Sequence, residues 1–270
     1  MTADGFVEFE HLEANSSGTI VYGEIDLGVT GPDLGLGFDL GLDAVNLKLG
    51  SGSSEYRQAV YAALTYSYEH GKISVGRPRT LESDYIGRRV FGGSVLLDVQ
   101  VGRQQRSIVD FFYLFLDETP VGLRYDGTYG DTRFGLAYHS FDDGAFDVYS
   151  IALHQDIGQY ELGFFYEDFR GGHTASASAS FTHGQWSGGV ILSDTDLSAA
   201  DLVGRFFVDY GLTDALTLSG EIGTEFGNGA DDIYTLSMDY DFGSGAYLNA
   251  GVVASDGFDT VYDASLGFRF

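Results

Sequence analysis

The 270-residue sequence contains no cysteine, only three prolines and a single tryptophan. Without cysteine the chain has no disulfide, no thiolate metal site and no thiol nucleophile. It also lacks an apolar run of the roughly 18 residues that a membrane-spanning helix needs, since its densest run, 108–116, is interrupted by Asp110. Basic residues are scarce, because 14 lysines and arginines face 40 acidic residues. The resulting net charge of −26 disfavours a nucleic-acid partner.

Apolar residues instead alternate with polar or small ones over long stretches. In the segment 232–242, large apolar side chains occupy every second position from Tyr234 to Phe242, and 214–226 and 262–270 follow the same period. Period two sustained over many residues predicts strands with one apolar and one polar face. With aromatic residues at 15% of the chain, the composition is also too apolar for a disordered acidic polymer.

Short turn sequences separate these segments at regular intervals. From residue 119 onward they predict about eleven antiparallel strands, each joined to the next by a short link. The N-terminal part adds strands at 5–13, 18–30, 33–43, 57–69 and 71–77. The apolar phase slips between Leu42 and Val45, so the third strand either bulges there or runs on to Leu49.

Together these patterns predict an all-β fold, a transmembrane antiparallel up-and-down β-barrel of about 16 strands forming one domain over 1–270. A soluble sandwich also has alternating strands. However, large aromatic residues near strand ends, such as Tyr68, Tyr160 and Phe270, favour the interfacial girdles of a membrane barrel.

The segment 78–118 lacks hairpin turns and is rich in charge. Long loops in compact proteins are usually functional, so we expect this one to fold into the lumen and form the constriction. An alternative is an extra hairpin from 94–101 and 108–116, which would give eighteen strands. The predicted constriction residues in and around the loop are Arg57, Lys72, Arg77, Arg79, Glu82, Asp84, Arg88, Arg89, Asp98, Arg103, Arg106, Asp110 and Arg124.

Aspartates crowd the second series of turns, those predicted at the outer rim. Crowded carboxylates suit a hard cation, which predicts a structural calcium site, whereas a solvated acidic rim is the alternative. The residues assigned to this rim site are Asp142, Asp143, Asp194, Asp196, Asp231 and Asp232. No other cofactor is expected. The six histidines are scattered without metal-protease or hydrolase motifs, so we do not expect an enzyme.

Three segments resemble the general diffusion porins of Gram-negative outer membranes, especially the sixteen-stranded alphaproteobacterial type. AALTYSYEHGKISVGR (62–77) leads into the long loop, TPVGLRYD (119–126) leaves it, and ASLGFRF (264–270) ends the chain. Tyr262, Leu266, Phe268 and Phe270 are similar to the terminal signal read by the barrel-insertion machinery. We expect the chain to begin as a mature form with an initiator methionine.

The resemblance implies a multi-pass protein of the outer membrane, surrounded by lipid and lipopolysaccharide and assembled as a homotrimer. It also implies a passive channel for small hydrophilic solutes and ions, narrowed by the third loop. Two alternatives remain open from the sequence. The arginines of 78–118 would suit a selective porin for anionic nutrients, and a plugged lumen would make the protein a non-conducting structural or adhesive barrel.

Overall fold

The computed structural model describes residues 1–14, 17–31, 34–49, 52, 54–86, 107–116, 118–141, 144, 146–196, 202–226, 232–257 and 259–270. The strands are β1 (Thr2–Glu13), β2 (Ser17–Thr30), β3 (Leu36–Leu49), β4 (Ser54–Tyr68), β5 (Gly71–Arg77), β6 (Val121–Tyr129), β7 (Thr132–Phe141), β8 (Phe146–Ile157), β9 (Tyr160–Phe169), β10 (Gly172–His183), β11 (Trp186–Thr195), β12 (Leu202–Thr213), β13 (Leu216–Phe226), β14 (Asp232–Gly243), β15 (Ala246–Ser255) and β16 (Val261–Arg269). Two helices, α1 (Glu82–Tyr85) and α2 (Ile108–Phe115), lie between β5 and β6. Neither described helix is long and apolar enough to cross a bilayer.

The strands form one closed antiparallel barrel in which each strand pairs with its sequence neighbours. The seam is the pairing of β1 with β16, where Val7 lies opposite Phe268. At its end the Gly5 amide donates to the Phe270 carbonyl (3.1 Å) and the Phe270 amide donates to the Gly5 carbonyl (3.0 Å). This closure confirms the predicted sixteen strands.

The eighteen-strand alternative is wrong. Ile108–Phe115, proposed there as a strand, is a helix, and the sixteen described strands already close the barrel. The Ser107 side chain accepts a hydrogen bond from the Val109 amide, which caps this helix at its N-terminus. The other half of the proposed hairpin, 94–101, lies outside the described residues.

The third strand runs on to Leu49 and does not bulge, because its pairing with β2 is continuous from Gly37 to Leu49. The shift in apolar phase has another cause. On the half of the strand nearer the β3–β4 link, Val45 faces inward and packs with Leu12, Ile20 and Tyr22. Asn46, on the opposite face, is exposed. The apolar side therefore changes from the outer to the inner face along the strand, while the register stays constant.

The wall has two chemically different faces. Large apolar side chains on the outer face are exposed, with Leu64 at 74% and Leu236 at 62%. The inner face carries buried polar groups such as Glu10, Glu167 and Arg205. An exposed apolar surface of this size is rare in soluble monomers and marks a surface that lipid or protein covers. The predicted alternation therefore corresponds to an apolar outer face and a polar inner face of the wall.

We expect the barrel to be heat-modifiable because every strand has two hydrogen-bonded neighbours and no free edge at which unfolding could begin. Unboiled protein in detergent should migrate differently from boiled protein on a denaturing gel. Its far-ultraviolet circular dichroism should be of the β type. A helical spectrum, or identical mobility before and after boiling, would contradict the closed barrel.

Candidate functional site

Residues 78–86 leave β5 and turn onto the inner face of the barrel. Leu81 and Tyr85 pack against Ala137 of β7, Ala152 of β8 and Phe165 of β9, which all have the inward parity of their strands. Burial of these apolar side chains stabilises the first limb of the long segment against the wall. The described start of this segment therefore packs against inward-facing residues of the wall.

Two glycines make room for this limb. A Cβ at Gly135 would lie 2.6 Å from the Leu81 Cδ2, and one at Gly163 would lie 2.6 Å from the Tyr85 carbonyl oxygen. An added methyl group would therefore displace the Leu81 side chain at Gly135 and the Tyr85 backbone at Gly163. The absence of side chains at these two wall positions is thus a condition for the close approach of α1.

The returning limb, α2, is anchored at both ends. At its start, Glu167 of β9 accepts hydrogen bonds from the Ser107 hydroxyl (2.7 Å) and the Ile108 amide (2.6 Å). At its other end, the Tyr113 hydroxyl accepts a hydrogen bond from the Val60 amide of β4 (3.1 Å). A carboxylate at a helix N-terminus satisfies amides that have no intrahelical partner. The helix thus follows the inner wall from β9 back to β4.

Arg79 is the main electrostatic contact between the first limb and the wall. Its guanidinium lies 2.6 Å from Asp26, 2.8 Å from Asp43 and 3.5 Å from Glu24, and its Cζ lies 4.4 Å from the centre of the Tyr61 ring. Burial alone would lower the pKa of Arg79, but the neighbouring carboxylates outweigh burial and raise it. The guanidinium is therefore permanently charged and bound to β2 and β3.

Arg124 of β6 holds the same limb from the other side. Its guanidinium pairs with Asp126 (2.6 Å) and with Asp84, and it donates to the Thr80 carbonyl oxygen (2.6 Å). A planar guanidinium has five donors, so a single arginine can bind carboxylates and backbone carbonyls at once. Arg124 consequently holds the backbone just before Leu81 and the Asp84 side chain after it.

Asp110 of α2 connects the two limbs. It accepts hydrogen bonds from the Thr80 hydroxyl (2.7 Å) and the Tyr61 hydroxyl (3.0 Å). Burial raises the pKa of Asp110 and the nearby charge of Asp43 adds to the rise, whereas the two hydrogen bonds and Arg79 oppose it. The Asp110 carboxyl group of α2 thus contacts both the first limb, through Thr80, and the wall, through Tyr61 of β4.

A cavity of about 260 Å³ lies on the inner side of β1–β6, and Asp26, Tyr61, Arg79 and Arg124 line it. Lys72 also lines it and pairs with Asp39 at 2.9 Å. The cationic side chains Lys72, Arg77, Arg79 and Arg124 lie around this cavity together with a larger set of carboxylates: Glu24, Asp26, Asp39, Asp43, Asp84, Asp110 and Asp126. The described part of the candidate site is therefore acidic, and Lys72, Arg79 and Arg124 are paired with carboxylates.

The structure brings together Lys72, Arg79, Asp84, Asp110 and Arg124 from the predicted constriction set. Glu82 is buried in α1, Arg57 pairs with Glu55 farther along β4, and Arg77 is exposed at the end of β5 while lining the same cavity. Arg88, Arg89, Asp98, Arg103 and Arg106 lie outside the described residues.

Sequence reasoning did not assign Asp26, Asp43, Tyr61 or Glu167 to the site. Both Asp26 and Asp43 lie on the inward face of their strands, where their carboxylates reach Arg79. Their proximity to Arg79 depends on strand register, since Asp26 lies opposite Gly41 and Asp43 opposite Glu24. Only the register shows that these carboxylates converge on one point.

Two of the predicted rim aspartates pair with a histidine. His173 lies 3.2 Å from Asp194 through Nε2 and 2.7 Å from Asp196 through Nδ1. Asp232 accepts a hydrogen bond from the Tyr234 hydroxyl (3.4 Å), whereas Asp142, Asp143 and Asp231 lie outside the described residues. In the part of the chain that the structure describes, no three or more His, Cys, Asp or Glu residues are arranged to hold a metal ion. The rim calcium site stays a prediction.

The predicted insertion signal lies on the outer face of the last strand and at the C-terminus. Tyr262, Leu266, Phe268 and Phe270 share one parity and are all exposed. The structure describes their position, and their role in insertion stays a prediction.

Comparisons with known proteins agree with this architecture. No family model and no curated protein matches the sequence. A triple mutant of Rhodopseudomonas blastica porin matches with a TM-score of 0.71 and 18% identity, covering 100% of this chain and 99% of that one. Another variant of that porin gives 0.72 at the same identity and coverage. A third structure, from work on asymmetric conductivity of engineered proteins, gives 0.70 at 17% identity with the same coverage. The chain has the fold of the sixteen-stranded porins.

Replacing Gly163 by alanine should loosen the segment 78–118, because the new methyl group would collide with the Tyr85 carbonyl. We expect a loss of about 1–3 kcal/mol, as for other overpacked sites, and faster trypsin cleavage within the segment. Gly220→Ala is the matched control, because a Cβ there would meet only the Val208 Cγ1 at 3.9 Å. Equal cleavage rates in the two variants would contradict the close approach at Gly163.

Arg79→Met should destabilise the barrel by about 3 kcal/mol, because it leaves the buried Asp43 and the half-buried Asp26 without their cation. The measurement is denaturant unfolding in detergent. Arg57→Met is the control, since the Arg57–Glu55 pair is largely exposed and worth at most about 1 kcal/mol. If both variants lose the same stability, Arg79 is not an anchor of the segment.

Proposed function

We propose that this protein forms a water-filled channel across a Gram-negative outer membrane, for passive diffusion of small hydrophilic solutes and ions. The observation that carries the proposal is the two-faced wall of a closed barrel. Exposed apolar side chains cover its outside, and charged groups line its inside. A polar interior is what a barrel needs to hold water and ions in a membrane. The likeness to porin structures supports the same function.

The segment 78–118 is the constriction in this proposal. Its support is the attachment of both described limbs to the inner faces of β4 and β6–β9. A segment held there occupies part of the cross-section, so solutes must pass between it and the remaining wall. Ion pairs and a capped helix make this narrowing a rigid one.

Charge favours small cations over anionic nutrients as the preferred cargo. Around the cavity Lys72, Arg79 and Arg124 are paired with carboxylates, and the described carboxylates outnumber the described cations. A narrow passage with excess negative charge concentrates cations and repels anions. The anionic-nutrient alternative depends on Arg88, Arg89, Arg103 and Arg106, which lie outside the described residues. A non-conducting structural or adhesive barrel is the second alternative.

The two faces of the wall also suggest what surrounds the barrel. The apolar outer face would contact lipid and lipopolysaccharide, and part of it would be covered by two further copies in a homotrimer. At the rim, Asp142, Asp143, Asp194, Asp196, Asp231 and Asp232 would share calcium. We propose neither a nucleic-acid partner nor an enzymatic activity.

Reconstitution into planar bilayers tests the channel. We expect stepwise conductance with a weak preference for cations at low salt. This preference should decline as salt rises, because charges more than about 10 Å apart are screened at 0.1 M. Reversal potential in a salt gradient measures it. Absence of conductance in protein that passes the heat-modifiability test would favour the structural or adhesive alternative.

Deletion of 80–116 tests the constriction separately. The deletion should raise single-channel conductance, because it removes the segment from the lumen. Neutralising Arg88, Arg89, Arg103 and Arg106 without deletion should make the channel more cation-selective while leaving conductance nearly unchanged. Unchanged conductance after the deletion would place the segment outside the conducting path, even if the protein is a channel.

A further inference from the structure

The lumen wall is accessible to solvent along only part of its height. We call the half of the wall closer to the chain termini the near half, and the half closer to the β1–β2 and β15–β16 links the far half. In the near half, inward side chains reach solvent. Asp4 and Arg133 are exposed, and the side chains of Asp156 and Arg269 are 54% and 56% exposed. The near half therefore surrounds a space that is open to solvent.

Inward side chains of the far half are buried, and several of them are long. Tyr22 and Arg205 are each 2% exposed, and Glu10 is 0% exposed. Thr235 and Val253 are 8% and 0% exposed. These residues belong to β2, β12, β1, β14 and β15, none of which carries α1 or α2 against its inner face. Burial in the far half thus extends to walls that the two described helices do not cover.

Neighbouring wall side chains do not explain this burial. The side chains of an eight-stranded barrel fill its interior, whereas barrels of roughly 16 to 18 strands leave an aqueous channel. Tyr22 and Val253 cover each other in part through an apolar cluster, but Glu10 and Arg205 do not belong to it. The contacts described above for residues 78–86 and 107–116 are with β2–β4 and β6–β9. Burial on β1 and β12 therefore means that protein occupies the far half of the lumen across its width.

We propose that the barrel is closed in its far half in this conformation and conducts only after a rearrangement that opens this half. The inference rests on the proposed channel function and adds a closed resting state to it. The near half is then a vestibule with access from the terminus side alone. A conducting state that is the minor member of a two-state equilibrium is populated to about 0.1–10%.

Cysteine accessibility tests the closure, since the natural chain has no cysteine and one substitution creates one reactive thiol. Ser193→Cys places the thiol in the far half of β11, where Ser193 is 1% exposed. Ser187→Cys, on the same face of the same strand in the near half, is the matched control, because Ser187 is only half-buried. In folded protein, a positively charged methanethiosulfonate should modify the Ser193→Cys variant about tenfold to a thousandfold more slowly, the inverse of the open population. After denaturation both thiols should react at the same rate.

Thr235→Cys in the far half and Ser219→Cys in the near half form a second pair, used if a variant of the first pair is not heat-modifiable. Wild-type current in planar bilayers should be closed for most of the recording, with brief openings. Equal labelling rates in the two halves of folded protein would overturn the closure. Steady wild-type current without closures would overturn it as well, because a slowly labelled thiol would then be packed within the wall of an open channel. Slow far-half labelling without any current would support the closure and contradict the channel function, so the two proposals fail separately.

Discussion

Closure of the sheet between β1 and β16 is the constraint on which the rest of the structure depends. A strand edge left open would expose a row of unpaired amides and carbonyls, which neither lipid nor a packed interior can satisfy. The reciprocal hydrogen bonds between Gly5 and Phe270 complete the ring of strands. Once the ring is closed, successive side chains on every strand point alternately to the outside and the inside of the barrel. The alternation of apolar and polar residues in the sequence matches these two environments.

The inner environment then determines how the long segment is held. Apolar contacts alone would allow it to slide along a smooth wall, whereas directional contacts fix its position. Arg79 binds carboxylates on β2 and β3, Arg124 binds backbone carbonyls next to Leu81, and Glu167 caps α2 from β9. These contacts come from different strands, so the loop geometry depends on the registers of many strand pairs at once. Buried ion pairs of this kind specify position more than they add stability.

The architecture was readable from sequence because period-two alternation and short turns are local properties. They predicted sixteen strands and the long segment. The contacts that hold the long segment on the wall could not be predicted. No local feature of the sequence distinguishes Glu167 from other carboxylates on alternating strands, and its role as the cap of α2 requires contact between residues about sixty positions apart. The helix itself was ambiguous, because a short apolar run such as 108–116 suits strand and helix equally.

Pattern reasoning also treated the inward face as uniformly polar. Near the β3–β4 link, Val45 and its neighbours on β1 and β2 form an apolar cluster inside the barrel. A bilayer constrains the outer face of a barrel only over the height of its hydrocarbon layer. In the proposed membrane channel Asn46 would lie beyond that height and face water, which would leave apolar residues free to pack inward. The face on which apolar residues lie therefore depends on the local environment of the strand. A change of that face along a strand can mark a boundary between two environments, and it does not require a bulge.

The number of arginines in a segment does not by itself determine the electrostatic potential around it. From the sequence, the arginines of 78–118 would suit a passage for anionic solutes. Among the described residues of that segment and its flanks, Arg79 and Arg124 are each surrounded by more than one carboxylate. An arginine in this arrangement acts as a structural counter-ion, and its charge is largely cancelled at the distance of a passing solute. Around these two described arginines, the carboxylates left over after pairing therefore make the local field negative.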